Sequence, residues 1–325
     1  MELKQELEQL DGPLLERISN KKRESLLTKR VIVILVALLC CLLWGSAFPA
    51  VATGYRILNV DLEDTFQITL FAGFRFMISA ILIFSYAFMT GEKMRIDFKG
   101  LKKIAILGLL QTFGQYLFFF LSLRTVHPAN GAILASMGVF FTVIIAHFIY
   151  KADRLTTKKI WGLIIGMLGI VILNGGTAGA FSLTGEGFMM ISMLLAALSG
   201  IYTKKLTETI SPFAISGYQL LLGSILLISM GLIFSEDVAF TFTAASTPLL
   251  LYLGFISAAA FTLWSAILKY NDISKVSIYK FSIPIFGVLI SFIFLHEALD
   301  LIVVLISMVF VATGIILINL ESKVK

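Results

Sequence analysis

Arg75 is the residue that most demands a chemical account. It stands in the apolar stretch 66–89, about nine residues from one end, hence roughly 14 Å deep along a helix rising 1.5 Å per residue. A charge at that depth costs at least ~2.5 kcal/mol even on the mildest insertion scale, so it needs a wet cavity or a polar partner. Two roles are open to it: contact with the negative group of a bound solute, or a lock in which the guanidinium bonds helix carbonyls. Gly108, Gln111, Gln115 and Ser122 form one stripe of the next apolar stretch. Gln111 falls near the depth of Arg75. The two glutamines, four apart, could bond polar groups of a ligand or glue helices together.

Lys280 and His147 also lie in apolar stretches, but closer to an end. Lys280 is about six residues in, roughly 9 Å, a distance a lysine stem can snorkel. It is kept as a candidate lining residue beside Tyr279, with the interfacial reading favoured for it and for His147. No apolar stretch holds an Asp or Glu well inside it; Asp153, Glu186 and Glu297 all fall near ends. A buried carboxylate for proton coupling or for pairing a small cation is therefore missing, and Arg75 favours a ligand with a negative group. Gly-x-x-x-x-Gly-Lys-Ser/Thr, Gly-x-Ser-x-Gly and His-Glu-x-x-His are absent, so the common nucleotide-motor and hydrolase signatures support neither an enzyme nor a cofactor. Cys40 and Cys41 are adjacent and point to different sides of a helix, which argues for small apolar packing over a disulfide or metal site.

The elements that position these residues follow from composition. The 325-residue chain is 58% hydrophobic and 14% charged, a mixture that a soluble domain could carry only with large exposed apolar patches. It reads as an all-α integral membrane protein with ten spans, roughly 31–53, 66–89, 103–123, 129–150, 159–174, 186–204, 213–234, 248–268, 275–295 and 299–319. Pro128, Pro212 and Pro248 stand at span starts, where a missing amide hydrogen costs nothing. Pro49 and Pro284 lie inside spans and are expected to kink them. Residues 1–30 form a mixed-charge tail. Leu3, Leu7, Leu10 and Leu14 have helical spacing, so the tail is either a helix on the membrane surface or disordered.

Of the 26 Lys and Arg residues, all but Arg56, Arg75, Arg124 and Lys280 fall on one side when the spans alternate. The positive-inside rule then places both termini in the cytoplasm of a plasma-membrane protein. The net charge of +6 is thus a topology signal. No basic run interleaved with exposed aromatics suggests a nucleic-acid module. The expected partners are the lipid bilayer and a small-molecule substrate. Gly162-x-x-x-Gly166 permits close helix packing, with contact inside the chain preferred and a homodimer seam as the alternative.

The chain repeats itself. Asn130–Asn174 and Ser274–Leu320 each run as an apolar span, a short break and a second span. Asp153-Arg154-Leu155 falls where Glu297-Ala298-Leu299 falls, and Gly169-Ile170 where Gly314-Ile315 falls. Two halves of five spans, 31–174 and 175–325, are implied. Because five is odd, the second half enters from the opposite side. That makes an inverted-topology repeat, with a site expected near the midplane between the halves. A weak match places Gln219 at the point of the second half equivalent to Arg75.

On these residues the chain resembles the drug/metabolite transporter superfamily, EamA-type. The resemblance rests on Trp44-Gly45-Ser46-Ala47-Phe48, on Phe74-Arg75-Phe76, and on the repeated span, acid-x-Leu, span ending in Gly-Ile, over roughly residues 31–320. Pro284 stands thirteen residues before Glu297 as the family usually has it; the first half has Gly138-Val139-Phe140 and no proline there. The resemblance implies a cavity lined by spans one, three, six, eight and nine, which hold Trp44, Phe48, Tyr116, Phe120, Tyr202, Phe261, Trp264 and Tyr279. It also implies a secondary transporter or exporter of a small polar metabolite working by alternating access. An amino acid or related zwitterion is expected, with Arg75 holding the carboxylate, Gln111 and Gln115 bonding polar groups, and Trp44, Tyr116 and Trp264 shaping the cavity. The halves would rock about Pro49 and Pro284. A choline-like amine caged by rings, a sugar-phosphate, a nucleobase, a drug or a lipid intermediate is the alternative cargo.

Overall fold

The computed structural model describes residues 26–126, 128–151, 153–175, 182–235, 240, 244, 246–296 and 300–319, without the side chains of 128–132. The surface-helix expectation for the tail, and Glu297 of the second acid-x-Leu motif, lie outside the described residues. Among the described residues ten helices run in chain order: α1 Arg30–Ile57, α2 Thr65–Thr90, α3 Phe98–Leu123, α4 Pro128–Ile149, α5 Thr157–Leu173, α6 Leu183–Leu206, α7 Pro212–Phe234, α8 Ser246–Tyr270, α9 Ile273–Leu295 and α10 Leu301–Asn319. Eight of them are long and apolar enough to cross a membrane. Large side chains such as Phe88, Ile233 and Phe294 stay exposed on the outside of the bundle, where a membrane protein meets lipid tails rather than water.

Local chemistry sets the ends. Asp64 caps α2 by accepting from the Phe66 and Gln67 amides at 2.8 and 3.2 Å, and Asp97 caps α3 by accepting from Gly100 at 2.8 Å. Pro128 and Pro212 open α4 and α7. Gly91, at φ 71°, closes α2 in the left-handed conformation that glycine takes without strain. Three helices depart from α geometry. A π-turn occupies Gly108–Gln115 of α3, another opens α6 at Leu183–Gly187, and a 3-10 turn occupies Ile278–Phe281 of α9. Pro49 sits inside α1 without interrupting it.

Packing displays the internal symmetry. α1 lies against α8 and α9, and α6 lies against α3 and α4; α2 pairs with α7 and α5 with α10. Exchanging each helix for the one five places on returns the same set of neighbours. The fold is therefore two five-helix repeats of inverted topology, with each half's first helix seated on the other half's fourth. Glycines make the tightest of these crossings. A Cβ at Gly45 of α1 would stand 2.7 Å from the Phe286 Cβ and 3.0 Å from the Gly287 amide of α9. Gly162 and Gly166 of α5 meet Gly314 of α10 backbone to backbone, so this pair is used within the chain.

The face that carries the α1 N-terminus and the basic loops is laced by polar ties. Asp153 and Lys159, both buried, pair at 2.6 Å. The other Asp153 oxygen accepts from the Ser274 amide, at the start of α9, at 2.9 Å. Lys204 of α6 donates to the Leu268 carbonyl at 3.1 Å and to the Asn271 carbonyl, where the negative end of α8 favours a cation. Asn271 donates in turn to the Leu27 carbonyl at 2.9 Å. His147 lies at this face too, its Nδ1 accepting from the Leu155 amide at 3.0 Å.

Candidate functional site

Arg75 is buried, ten residues into α2 from Thr65, about 15 Å from that end. Its Nε donates to the Ser257 hydroxyl of α8 at 3.2 Å. Its guanidinium carbon lies 4.7 Å from the Phe76 ring centroid, and the Tyr116 hydroxyl of α3 lies against it. Of five guanidinium N–H groups, one donates to Ser257 and the Tyr116 hydroxyl faces the guanidinium as a second polar neighbour; none meets a carboxylate among the described residues.

From Arg75 a run of rings crosses the interior. Phe76 meets Tyr116 at 4.6 Å and Phe261 at 6.5 Å; Phe261 meets Trp44 at 5.8 Å; Trp44 meets Trp264 at 5.2 Å with their planes at 59°. The far end of the run carries Lys280. Its ammonium stands 5.0 Å from the Trp264 centroid and 5.7 Å from that of Trp44. It has no hydrogen-bond acceptor and no carboxylate partner among the described residues, and the side chain is half-buried. Lys280 lies in the 3-10 turn of α9, and Pro284, four residues on, has no N–H to offer its carbonyl and would press its ring on it. The α-helix restarts only at Ser282. In the first half, where Gly138-Val139-Phe140 stand at the corresponding place without a proline, the helix from Pro128 to Ile149 runs unbroken.

The two cations approach from opposite ends of the bundle. Lys280 is seven residues into α9, about 10 Å, so across a ~30 Å core they differ in depth by only about 5–10 Å. Each cation–π contact returns ~0.5–2 kcal/mol, while each charge costs at least ~2.5 kcal/mol at this depth. Two positive charges in one interior are thus left undercompensated. Among the described residues the only acid within a helix is Glu186, in the opening turn of α6. It is occupied by the Ser182 amide and hydroxyl at 2.9 and 3.0 Å.

The structure thus brings Arg75, Tyr116, Trp44, Phe261, Trp264 and Lys280 into one run, with Phe76 and Ser257 added. Ser257 had no distinguishing signal beyond its place before the small-residue run Ala258–Ala260. Gln111 and Gln115 lie half-buried in the π-turn of α3, their side-chain amides without hydrogen-bond partners among the described residues; the Gln115 carbonyl accepts from Ser192 at 2.8 Å. Tyr279 is buried and makes no ring–ring contact among the described residues, its carbonyl accepting from the Cys41 thiol at 3.2 Å. Gln219 ties α7 to α3 by accepting from the Thr112 hydroxyl at 2.8 Å. Phe48 is exposed, with its ring beside Gly287 of α9. On the face opposite the basic loops, a depression of about 530 Å³ is bordered by Tyr55, Arg56, Asn59 and Val60. Tyr55 lies within electrostatic reach of Arg75.

Ten helices in two inverted repeats, with cations that meet no carboxylate among the described residues and polar side chains in the interior, define a multi-pass membrane transporter. The chain belongs to the EamA-like transporter family, whose model matches it twice, over residues 31–175 and 183–320. It is 28% identical over 267 residues to the "Uncharacterized transporter YvbV" of Bacillus subtilis (strain 168), covering 78% of this chain and 83% of that one. It is 25% identical over 281 residues to a Salmonella typhimurium protein named "Probable amino-acid metabolite efflux pump", covering 81% and 87%. A solved crystal structure superposes with a TM-score of 0.75 at 18% identity, covering 90% of this chain and 100% of that one, which shows the shared fold.

Proposed function

We propose that this transporter moves a small carboxylate-bearing metabolite, an amino acid or related acid, across the cell membrane by alternating access, with the basic face in the cytoplasm. The single observation that carries the reading is Arg75: a buried guanidinium near the midplane, oriented by Ser257 and without a carboxylate partner among the described residues. A solute carboxylate can take the open N–H fork in the two-point geometry that arginine favours. The unpartnered amides of Gln111 and Gln115 are available for further polar groups. The similarity to a protein named as an amino-acid metabolite efflux pump agrees with this class of cargo.

The choline-like alternative is disfavoured by the rings themselves. Trp44 and Trp264, the pair best placed to cage a cation, already hold the Lys280 ammonium. Thermal-shift screening of the purified protein against amino acids, organic acids and amines, followed by counterflow in proteoliposomes, tests the reading. Stabilisation by carboxylates that disappears in Arg75→Ala supports it. Stabilisation by quaternary amines alone, undiminished in Arg75→Ala, overturns it.

A further inference from the structure

Resting on the carboxylate reading of Arg75, we propose that the interior is a two-cation site selecting organic dianions: one anionic group on Arg75, the second on Lys280, and a flat or apolar body along the rings between them. The geometry supplies three reasons. Both cations belong to the same run of side chains, Arg75 against Phe76 and Lys280 against Trp44 and Trp264, with Phe261 bridging the two ends. Their difference in depth, about 5–10 Å, lies within the span of a small diacid and its ion-pair contacts. Neither has a carboxylate among the described residues, and the half-buried Lys280 ammonium has rings but no acceptor.

The protein thus presents donors where a ligand would present acceptors. A dianion neutralises both charges and lays its body against Trp44, Trp264 and Phe261. A monocarboxylate leaves one cation uncompensated, and a neutral zwitterion brings its ammonium into a positive interior. Lys280 is a specificity-determining residue under this reading, where a purely structural lysine would only clip α9 to α1 and α8.

The test is equilibrium binding to the full-length protein in lipid nanodiscs with matched pairs of ligands: terephthalate against benzoate, and glutarate against butyrate. Wild type is expected to bind each dianion at least about thirtyfold more tightly than its monoanion, the scale of losing one partner of a buried charge pair. Lys280→Met is expected to abolish that ratio while monoanion binding persists, and Lys280→Arg to restore it. Arg75→Gln is expected to weaken both members of each pair. Equal binding of dianion and monoanion in wild type, or a dianion preference that survives in Lys280→Met, overturns the two-cation site. Either can occur with Arg75-dependent carboxylate binding intact, so the broader carboxylate reading stands or falls separately, on Arg75→Gln. If Lys280→Met lowers thermal stability with the ratio unchanged, the lysine is a structural clip and the proposal fails. Should Lys280→Met fail to fold, the wild-type ratios and Lys280→Arg still decide.

Discussion

Pro284 stands four residues after Lys280, the spacing at which an α-helix would ask the proline for the hydrogen bond it cannot give. The helix answers with a 3-10 turn over Ile278–Phe281, and that turn carries Lys280 against Trp44 and Trp264. A backbone defect and a half-buried charge are therefore one feature.

Pro284→Ala is expected to let α9 run as continuous α-helix from Ile273 and to raise the thermal midpoint, since an interior proline costs up to ~3 kcal/mol. With the turn removed, Lys280 loses its seat between the tryptophans. Transport should slow even as the protein becomes more stable. A thermal melt beside a proteoliposome flux assay checks both; unchanged flux would detach the turn from function.

Gly45→Ala places a methyl group 2.7 Å from the Phe286 Cβ and 3.0 Å from the Gly287 amide. Because a backbone atom is among the obstacles, α1 and α9 must separate, at a cost of about 1–3 kcal/mol. Trp44 is the neighbouring residue, so its contacts with Trp264 and Lys280 should loosen. A lower melting point together with a red-shifted tryptophan emission is the expected result.

Asp153 receives Lys159 on one oxygen and the Ser274 amide on the other. Asp153→Ala leaves a buried ammonium unpaired and should cost about 3–5 kcal/mol, whereas Asp153→Leu with Lys159→Met, replacing the pair by apolar groups, should recover most of that loss. Because Ser274 belongs to α9, both variants also free this helix from the α4–α5 connection. Cysteine-accessibility labelling from the basic face should rise in both, whatever the melting point does.

Ten spans and their repeat were legible because lipid demands long apolar helices and the acid-x-Leu breaks recur at one spacing. Arg75 was legible because depth makes an arginine expensive. Lys280 shows where counting stops. Its distance from the helix end suggests a stem that snorkels to the headgroups, but its orientation depends on Pro284 and on two tryptophans from α1 and α8, two hundred and more residues apart in part. Ser257 is one serine among many until α8 is laid against α2. The π-turn under Gln111 and Gln115 arises where α3 crosses α6 and α7, a contact between segments that local periodicity does not encode.

The exchange of partners between halves also governs how the protein is made. α1 rests on α8 and α9, and α5 on α10, so the first helices out of the ribosome find their seats only when the last are synthesised. Long-range contacts of this kind slow folding and leave unsatisfied surfaces in the meantime. The first half must therefore wait in the bilayer with the polar groups of Arg75 and Gln111 unsheltered. A truncation after residue 175 should yield not half a transporter but a membrane-inserted fragment without a stable partner, open to quality-control proteolysis.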